Sequence, residues 1–327
     1  PKKEVVKPPT ERVGRPSNAK AVSKKKGGAQ MVVSEVAIAH PNEHVHADKR
    51  ILALDPGRTS LATIVEYIGD YGDTKKSWKR YEYTRNQYYH EAGINGANRQ
   101  SAIWNAQPEV KAARLRLAAN PSKAKSVLDF LAYINAVNAS YEVLWGEYSK
   151  KKWNSQRFAL HQGKQRSVDL FCNRLERAIP GDTRPIEIAY GNASFGAGGR
   201  GERCVPVKWF RKRIALRFKT VDVAEFRTSK ISYQTQELLG KVGRMVGEEA
   251  RGVRGLHWYK TNDLACKYVH RDSNAAKNIH LLHHYLVNGL VKPLIFQRID
   301  GAPPLPAQAL KIIRPNETGS NAVFDRT

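Results

Sequence analysis

Residues Arg50 to Tyr67 read RILALDPGRTSLATIVEY, and this stretch decides the fold. An apolar run, Ile51 to Leu54, ends on Asp55; Pro56-Gly57 marks a tight turn; Ser60 to Tyr67 then resumes with apolar and β-branched residues. Two short strands joined by a hairpin read this way. A carboxylate that caps a buried strand is costly to desolvate without a cation, so Asp55 is a candidate metal ligand. An Asp-Pro-Gly turn in a surface hairpin would look the same in isolation, and the choice between them rests on the rest of the chain.

Working outward, Trp78 to Thr84 alternates and reads as a third strand. A long helical block follows: one helix from about Arg99 to Ala118, a second from about Ser122 to Lys151 after the Asn120-Pro121-Ser122 break, and a third from about Ser155 to Ala178. In the second, Val127, Phe130, Leu131, Ile134, Val137, Tyr141, Leu144 and Tyr148 keep helical spacing and are expected to form a core stripe. Lys151 and Lys152, beside Trp153, join two helices of which the third is basic, a pair that could track a phosphate backbone or simply face solvent. Pro185 to Tyr190 reads as strand four, residues 191–204 as a Gly-rich loop, Pro206 to Phe218 as a helix with Pro in its first turn, and Thr220 to Phe226 as strand five. Residues 227–265 read as irregular and basic, Asp272 to Leu286 as the last clear helix, and the remainder as a tail. Three hairpin-linked strands followed by alternating helix and strand match the ribonuclease H layout, an α/β mixed sheet with helices on its faces. Here the helical insertion after strand three is unusually large.

Composition narrows the function. Against 30 Asp and Glu stand 55 Lys and Arg, a formal charge of +25, which argues for a polyanionic partner and above all nucleic acid. No apolar run is long enough to span a bilayer. Cys172, Cys204 and Cys266 are far apart, which fits a reducing compartment. Residues 1 to about 30 are rich in Lys, Pro, Ser and Gly and read as disordered or a linker; residues 31–38 could be a strand, followed by a loop with His40, His44 and His46 that nothing else ties to a metal. The basic groups near the start could serve nuclear import or be a solvated tail. Pro1 stands where an initiator Met would, as in a fragment.

Three acids fall at informative points: Asp55 ends strand one, Glu225 ends strand five, and Asp272 starts the last helix. They are far apart in the chain, so only a fold could bring them together, and this topology can converge them on one sheet edge. Two Mg²⁺ ions would neutralise such a cluster and clamp an in-line attack on phosphate. Glu187 and Asp222 are back-up carboxylates within alternating strands.

DPGxxxxAT at 55–63, YGNASF at 190–195, EFRTSK at 225–230 and RDSNAAKNI at 271–279 together resemble the RuvC nuclease motifs of the Fanzor family, the eukaryotic relatives of TnpB and, more distantly, of type V CRISPR nucleases. The resemblance covers roughly residues 50–285. It implies an RNA-guided, Mg²⁺-dependent DNA endonuclease of the nucleus, with guide RNA and target double-stranded DNA as partners and no membrane; it leaves the oligomeric state open and favours a monomeric ribonucleoprotein. It makes Asp55, Glu225 and Asp272 the catalytic and metal-binding set. Arg227, Lys230, Arg271, Asn274, Lys277 and Asn278, with Lys151 and Lys152, are candidate nucleic-acid contacts, although the Asn pair at i, i+4 could equally cap and pack its helix.

The sequence departs from the family in three ways. TnpB-like enzymes commonly carry the middle glutamate at the end of strand four; here Tyr190-Gly191-Asn192 has no acid, and Glu225 matches the relocated glutamate of the Fanzor-like pattern. The four-Cys zinc ribbon is degenerate: Ser232 and Thr235 stand near the first pair and only Cys266 near the second, so zinc is not expected. The guide- and target-binding domains that normally precede the first nuclease motif have only 54 residues here, so the resemblance supports a nuclease half. The expected organisation is a basic linker (1–48), RuvC part I (49–94), a helical insertion (95–183), RuvC part II (184–231), a degenerate zinc-ribbon-like insert (232–265), RuvC part III (266–290) and a tail (291–327). The alternative is an RNA- and DNA-binding protein on the same fold that no longer cuts. Gly196, Gly198 and Gly201 spell a dinucleotide fingerprint, but the next helix starts too late to receive a pyrophosphate.

Overall fold

The computed structural model describes residues 48–69, 78–123, 126–192, 206–246, 248–261, 265–298, 306 and 308–313. The expected N-terminal tail, the strand at 31–38 with its histidine loop, most of the Gly-rich loop and the last residues lie outside the described residues.

The hairpin forms as read. β1 (Arg50–Asp55) pairs antiparallel with β2 (Ser60–Tyr67), and β2 pairs antiparallel with β3 (Trp78–Thr84). After the helical insertion, β4 (Ile186–Gly191) pairs parallel with β1, and β5 (Lys219–Val223) pairs parallel with β4. The sheet order is therefore β3-β2-β1-β4-β5. β1 is apolar on both faces because it lies mid-sheet between two layers of helix. Leu52 and Leu54 point into a cluster with Phe171, Leu175, Phe210 and Ile214, whereas Ala53 points the other way toward Ala276, Ile279 and Phe296. Arg50 is buried and makes two bonds, of 2.6 and 2.8 Å, to Glu66, whose Oε2 also accepts the Tyr81 hydroxyl at 2.7 Å.

The helices differ from the expectation in their breaks. Thr84 caps α1 (Arg85–Glu91) through a 3.1 Å bond from Gln87 N. The single helix expected from Arg99 is two, α2 (Ile94–Trp104) and α3 (Pro108–Ala119), because Pro108 has no N–H to continue a helix and instead begins one. α4 (Val127–Tyr148) is capped by Ser126 and turns sharply into α5 (Lys151–Glu176). Buried Glu147 sets that corner: it accepts from Lys150 at 2.7 Å and from Trp153 Nε1 at 3.1 Å, and it pairs with Lys152 at 2.5 Å. The Lys150 and Lys152 bonds hold its carboxyl at about 2.

The core stripe expected on α4 is not core. Its buried residues are Ser140, set against α3 through Arg116 and Ala113, Ala136, and Glu147 at the corner with α5, while Val127, Phe130, Leu131, Ile134 and Tyr141 are exposed. Helical periodicity locates a stripe but does not say whether anything covers it.

Two further segments are ordered where irregular chain and tail were expected. After α6 (Val207–Ala215) and β5, β6 (Gly240–Val246) pairs antiparallel with β7 (Glu249–Lys260), and β8 (Cys266–His270) pairs with β7. Beyond α7 (Arg271–Val287), Phe296 is fully buried in the main core, and β9 (Leu310–Ile313) pairs parallel with β6. Ser232 and Thr235, at the place of a first Cys pair, close a tight turn in which Ser232 Oγ accepts from Thr235 N at 3.2 Å. His257 Nδ1 lies 3.1 Å from the Gly240 carbonyl, and Cys266 is a free thiol.

Candidate active site

Three elements end at one cleft. β1 delivers Asp55 at its C-terminal end, the turn after β5 delivers Glu225, and the first turn of α7 delivers Asp272. Expected to end strand five, Glu225 in fact lies two residues past it. The strand stops at Val223 because its partner β4 stops at Gly191, the last paired register. The cleft encloses about 310 Å³ and is also lined by Arg58, Ser229, Arg254 and Arg271.

The turn bearing Glu225 is fixed from both sides. Thr228 donates to the Glu225 carbonyl through its N–H (3.2 Å) and its hydroxyl (3.0 Å), and Arg227 takes a left-handed φ of 67°. From α7, Asn274 and Asn278 each donate to the carbonyls of Thr228 (3.2 and 2.8 Å) and Ile231 (2.6 and 2.8 Å), and Asn274 Oδ1 accepts from Tyr233 N at 2.9 Å. One helix therefore carries Asp272 and, two and six residues further on, the clamp that holds the Glu225 loop.

The Glu225 carboxylate is packed against the end of β4. A Cβ on Gly191 would lie 1.8 Å from Glu225 Oε1 and 2.9 Å from Ile279 Cδ1, so any side chain there has to displace the Glu225 carboxylate as it stands. The missing acid at 190–192 and the acid at 225 are thus two halves of one arrangement: the carboxylate enters from β5's side into space that a β4 side chain would need.

Electrostatics mark the cleft as cation-hungry. Burial, then the Glu225 and Asp272 charges, push the Asp55 carboxyl well above the usual carboxylate range, while Arg271 pulls it back. Arg271 Nε donates to Asp272 Oδ1 at 2.8 Å and holds that carboxylate by its side chain. Among the described residues no three His, Cys, Asp or Glu side chains close on one point as an ion cage would. The carboxylate donors are all oxygens and sparse, and Glu225 Oε1 is buried. That chemistry suits Mg²⁺, which keeps waters and substrate phosphate oxygens in its shell, and does not suit zinc.

The other candidates go elsewhere. Glu187 is buried and held by Lys219 (2.9 Å), His283 Nε2 (2.8 Å) and Lys49 (3.3 Å), and Asp222 pairs with Arg211 at the surface; neither lines the cleft. Arg271 is in the cleft and Lys230 is exposed beside it on the Glu225 turn. Arg227 reaches the Ile295 carbonyl (3.4 Å) across the Phe226 ring. Three expected nucleic-acid contacts are corrected: Asn274 and Asn278 are buried in the clamp, and Lys277 is buried with its ammonium 5.5 Å from the Trp78 ring. At that depth they hold the protein together rather than meet a strand. Lys151 is exposed on α5, whereas Lys152 is committed to Glu147 and the Trp104 ring. Sequence reading missed Arg58, Arg254 and Gly191. Arg58 lay in the quoted DPGR stretch, and Arg254 lay in a segment taken as irregular.

No protein-family model matches the chain. No curated protein matches it either. Twelve chains of solved structures do. CasPhi-2 (Cas12j) bound to crRNA and phosphorothioate-DNA is 14% identical with a TM-score of 0.44, over 75% of this chain and 46% of that one. C2c1 of Alicyclobacillus acidoterrestris, in complex with single-guide RNA, is 10% identical with a TM-score of 0.36, over 75% and 40%. A Cas12i complex with crRNA and double-stranded DNA is 10% identical with a TM-score of 0.22, over 66% and 30%. The chain spans less than half the length of each.

Proposed function

We propose that this chain is the nuclease portion of an RNA-guided DNA endonuclease of the Fanzor and TnpB kind, built on a RuvC-like fold. One observation carries the reading: Asp55, Glu225 and Asp272, far apart in the chain, line one cleft at the end of β1 and the start of α7. The charge of +25 supports a nucleic-acid partner, and the motif resemblance supplies the guide RNA, the double-stranded DNA target and a nuclear setting. On this reading residues 49–94, 184–231 and 266–290 are the split nuclease domain, and 95–183 its helical insertion.

Asp55, Glu225 and Asp272 would hold the metal. Bound Mg²⁺ supplies charge neutralisation at the phosphate and activation of the attacking water. The chain's own residues do the rest. Arg58 and Arg254 line the cleft and can seat the scissile phosphate by its non-bridging oxygens. Arg271 orients the Asp272 carboxylate, and the Asn274–Asn278 clamp keeps Glu225 in register with it. Positive charge entering the cleft would offset the burial and the neighbouring Glu225 and Asp272 charges that raise the Asp55 carboxyl.

The test is plasmid cleavage by the full chain co-expressed with the RNA encoded beside its gene. Cutting of a guide-matched plasmid in Mg²⁺ but not EDTA is expected. RNA and DNA binding without cutting would assign the chain to the non-cutting class instead.

A further inference from the structure

β7 leaves the line of its neighbours at one place. Lys241 of β6 pairs with His257, and Gly243 pairs with Gly252. Val242 of β6 therefore stands opposite residues 253–256 of β7, where a regular ladder would set a single residue. Leu256 is held on its other side by His270, the last residue of β8. Val253, Arg254 and Gly255 have no partner in either register, so they form an excursion from the strand, an enlarged β-bulge. Bulges of this kind re-aim side chains next to active sites. β6 keeps its own line there because Val242 pairs on its far edge with Lys311 of β9.

The excursion lies where β8 gives way to α7, whose second residue is Asp272. Its middle residue, Arg254, lines the cleft together with Asp55, Glu225 and Asp272. Arg271 lines the cleft too, but its guanidinium is bonded to Asp272 at 2.8 Å. Arg254 is exposed and makes no ion pair among the described residues. An arginine beside three carboxylates and bonded to none of them keeps its donors for a phosphate oxygen.

The backbone that aims it is unusual. Gly255 has a φ of 83°, a region that glycine enters at no steric cost and other L-residues rarely adopt. Crowding is not the reason for a glycine here. A Cβ on Gly255 would meet His270 Nε2 at 3.5 Å, an ordinary contact. Conformation alone demands it. Alanine would drive φ toward negative values, and because Gly255 follows Arg254 directly, that rotation turns the peptide joining them and swings the arginine.

We propose that Gly255 is a positioning residue of the nuclease site. Its left-handed backbone bends β7 so that Arg254, carried by the β8-β7-β6-β9 sheet, reaches the carboxylate cleft of the other sheet and meets the phosphate there. The role of the phosphate rests on the nuclease reading; the aim of Arg254 rests on strand register and φ.

Two measurements on the full chain with its RNA test the two parts separately. The first needs no cutting. Cysteines placed by Arg58→Cys and Arg254→Cys, both at the cleft, are bridged with a short bis-thiol reagent and the linked peptides are quantified. Gly255→Ala is expected to lower the yield roughly fivefold or more, and Gly255→Asn to recover most of it, because Asn tolerates positive φ. The second is guide-directed cleavage. Gly255→Ala is expected to cut about tenfold more slowly, like Arg254→Ala, and the double variant no more slowly than either. Gly255→Asn is again expected to recover, which a general loosening of the sheet would not predict. Should Gly255→Ala fail to fold, a chain lacking residues 253–255 replaces it. That deletion brings both halves of the β6–β7 ladder into one register, so it is expected to fold and to cut as slowly as Arg254→Ala. Crosslinking that is unchanged by Gly255→Ala overturns the proposal. So does a rate loss from Gly255→Ala that multiplies with that of Arg254→Ala, or wild-type cutting by the deletion. Absence of cutting by wild type would overturn the nuclease reading, and the crosslink would still decide whether Gly255 aims residue 254.

Discussion

The Glu225 carboxylate sits where a side chain on Gly191 would begin, 1.8 Å from an ideal Cβ. The carboxylate thus lies against the end of β4 although it comes from the turn after β5. Gly191→Ala must displace the Glu225 side chain or shift β4 against Ile279. It is expected to cost roughly 1–3 kcal/mol of stability by overpacking and to lower cleavage at least tenfold. Denaturant unfolding and plasmid cleavage read the two effects. Moving the acid, Glu225→Ala with Gly191→Glu, is expected to recover activity relative to Glu225→Ala alone; no recovery would show that the β4 route does not reach the same point.

Asn274 and Asn278 give the next prediction. Both donate to the same two carbonyls, of Thr228 and Ile231. Replacing either with Ala is expected to cost about 1–3 kcal/mol, since buried carbonyls lose a donor. Because the pair shares its acceptors, the double variant should depart from additivity, which a double-mutant cycle measures. Nucleic-acid affinity should change little for either single variant under conditions where it remains folded.

Arg254 reaches the cleft from β7 and is exposed. Arg254→Ala should leave the melting temperature within a degree or two. It should lower the cleavage rate by about tenfold or more through loss of a phosphate contact, an effect of the kind seen when one charge-stabilising donor is removed. Rate and melting curve together separate this from a structural role. Arg254→Lys should recover only part, because a point charge lacks the bidentate fork.

Glu187 predicts an acid limb in stability. Burial alone would raise its carboxyl, but bonds from Lys219 and His283, with Lys49 nearby, bring it down to about 2. Its folded value is below the unfolded one of roughly 4.3. The stabilisation is therefore fully present above about pH 4.5 and is lost as pH falls toward 2. Glu187→Gln should be less stable than wild type at pH 6, with the difference shrinking as pH falls through that window, as measured by urea unfolding across pH.

What was legible in the sequence had local causes. Ile51 to Leu54 ran into Asp55 and a Pro-Gly turn, so the hairpin, the parallel strands and the site of the first acid followed from short-range pattern. Strand five was drawn through Phe226 because TVDVAEF alternates to its end, yet a strand lasts only as long as its neighbour, and β4 stops at Gly191. β6 and β7 escaped notice because Gly240, Gly243, Gly252 and Gly255 break their pattern and half of β7 is exposed. The α4 stripe had the right period and the wrong burial. Asn274 and Asn278 were placed on one helix face correctly, but which partner that face meets is a tertiary fact, and it turned two candidate DNA contacts into a clamp.

On the proposed function, Asp55, Glu225 and Asp272 act together as the nuclease site. The most direct measurement is guide-directed plasmid cleavage in Mg²⁺ by wild type and by the three single carboxylate-to-alanine variants, each checked for intact RNA and DNA binding. Cutting by wild type and its loss in all three variants, with binding retained, is expected. Undiminished cutting by Glu225→Ala, or by either of the others, would contradict it.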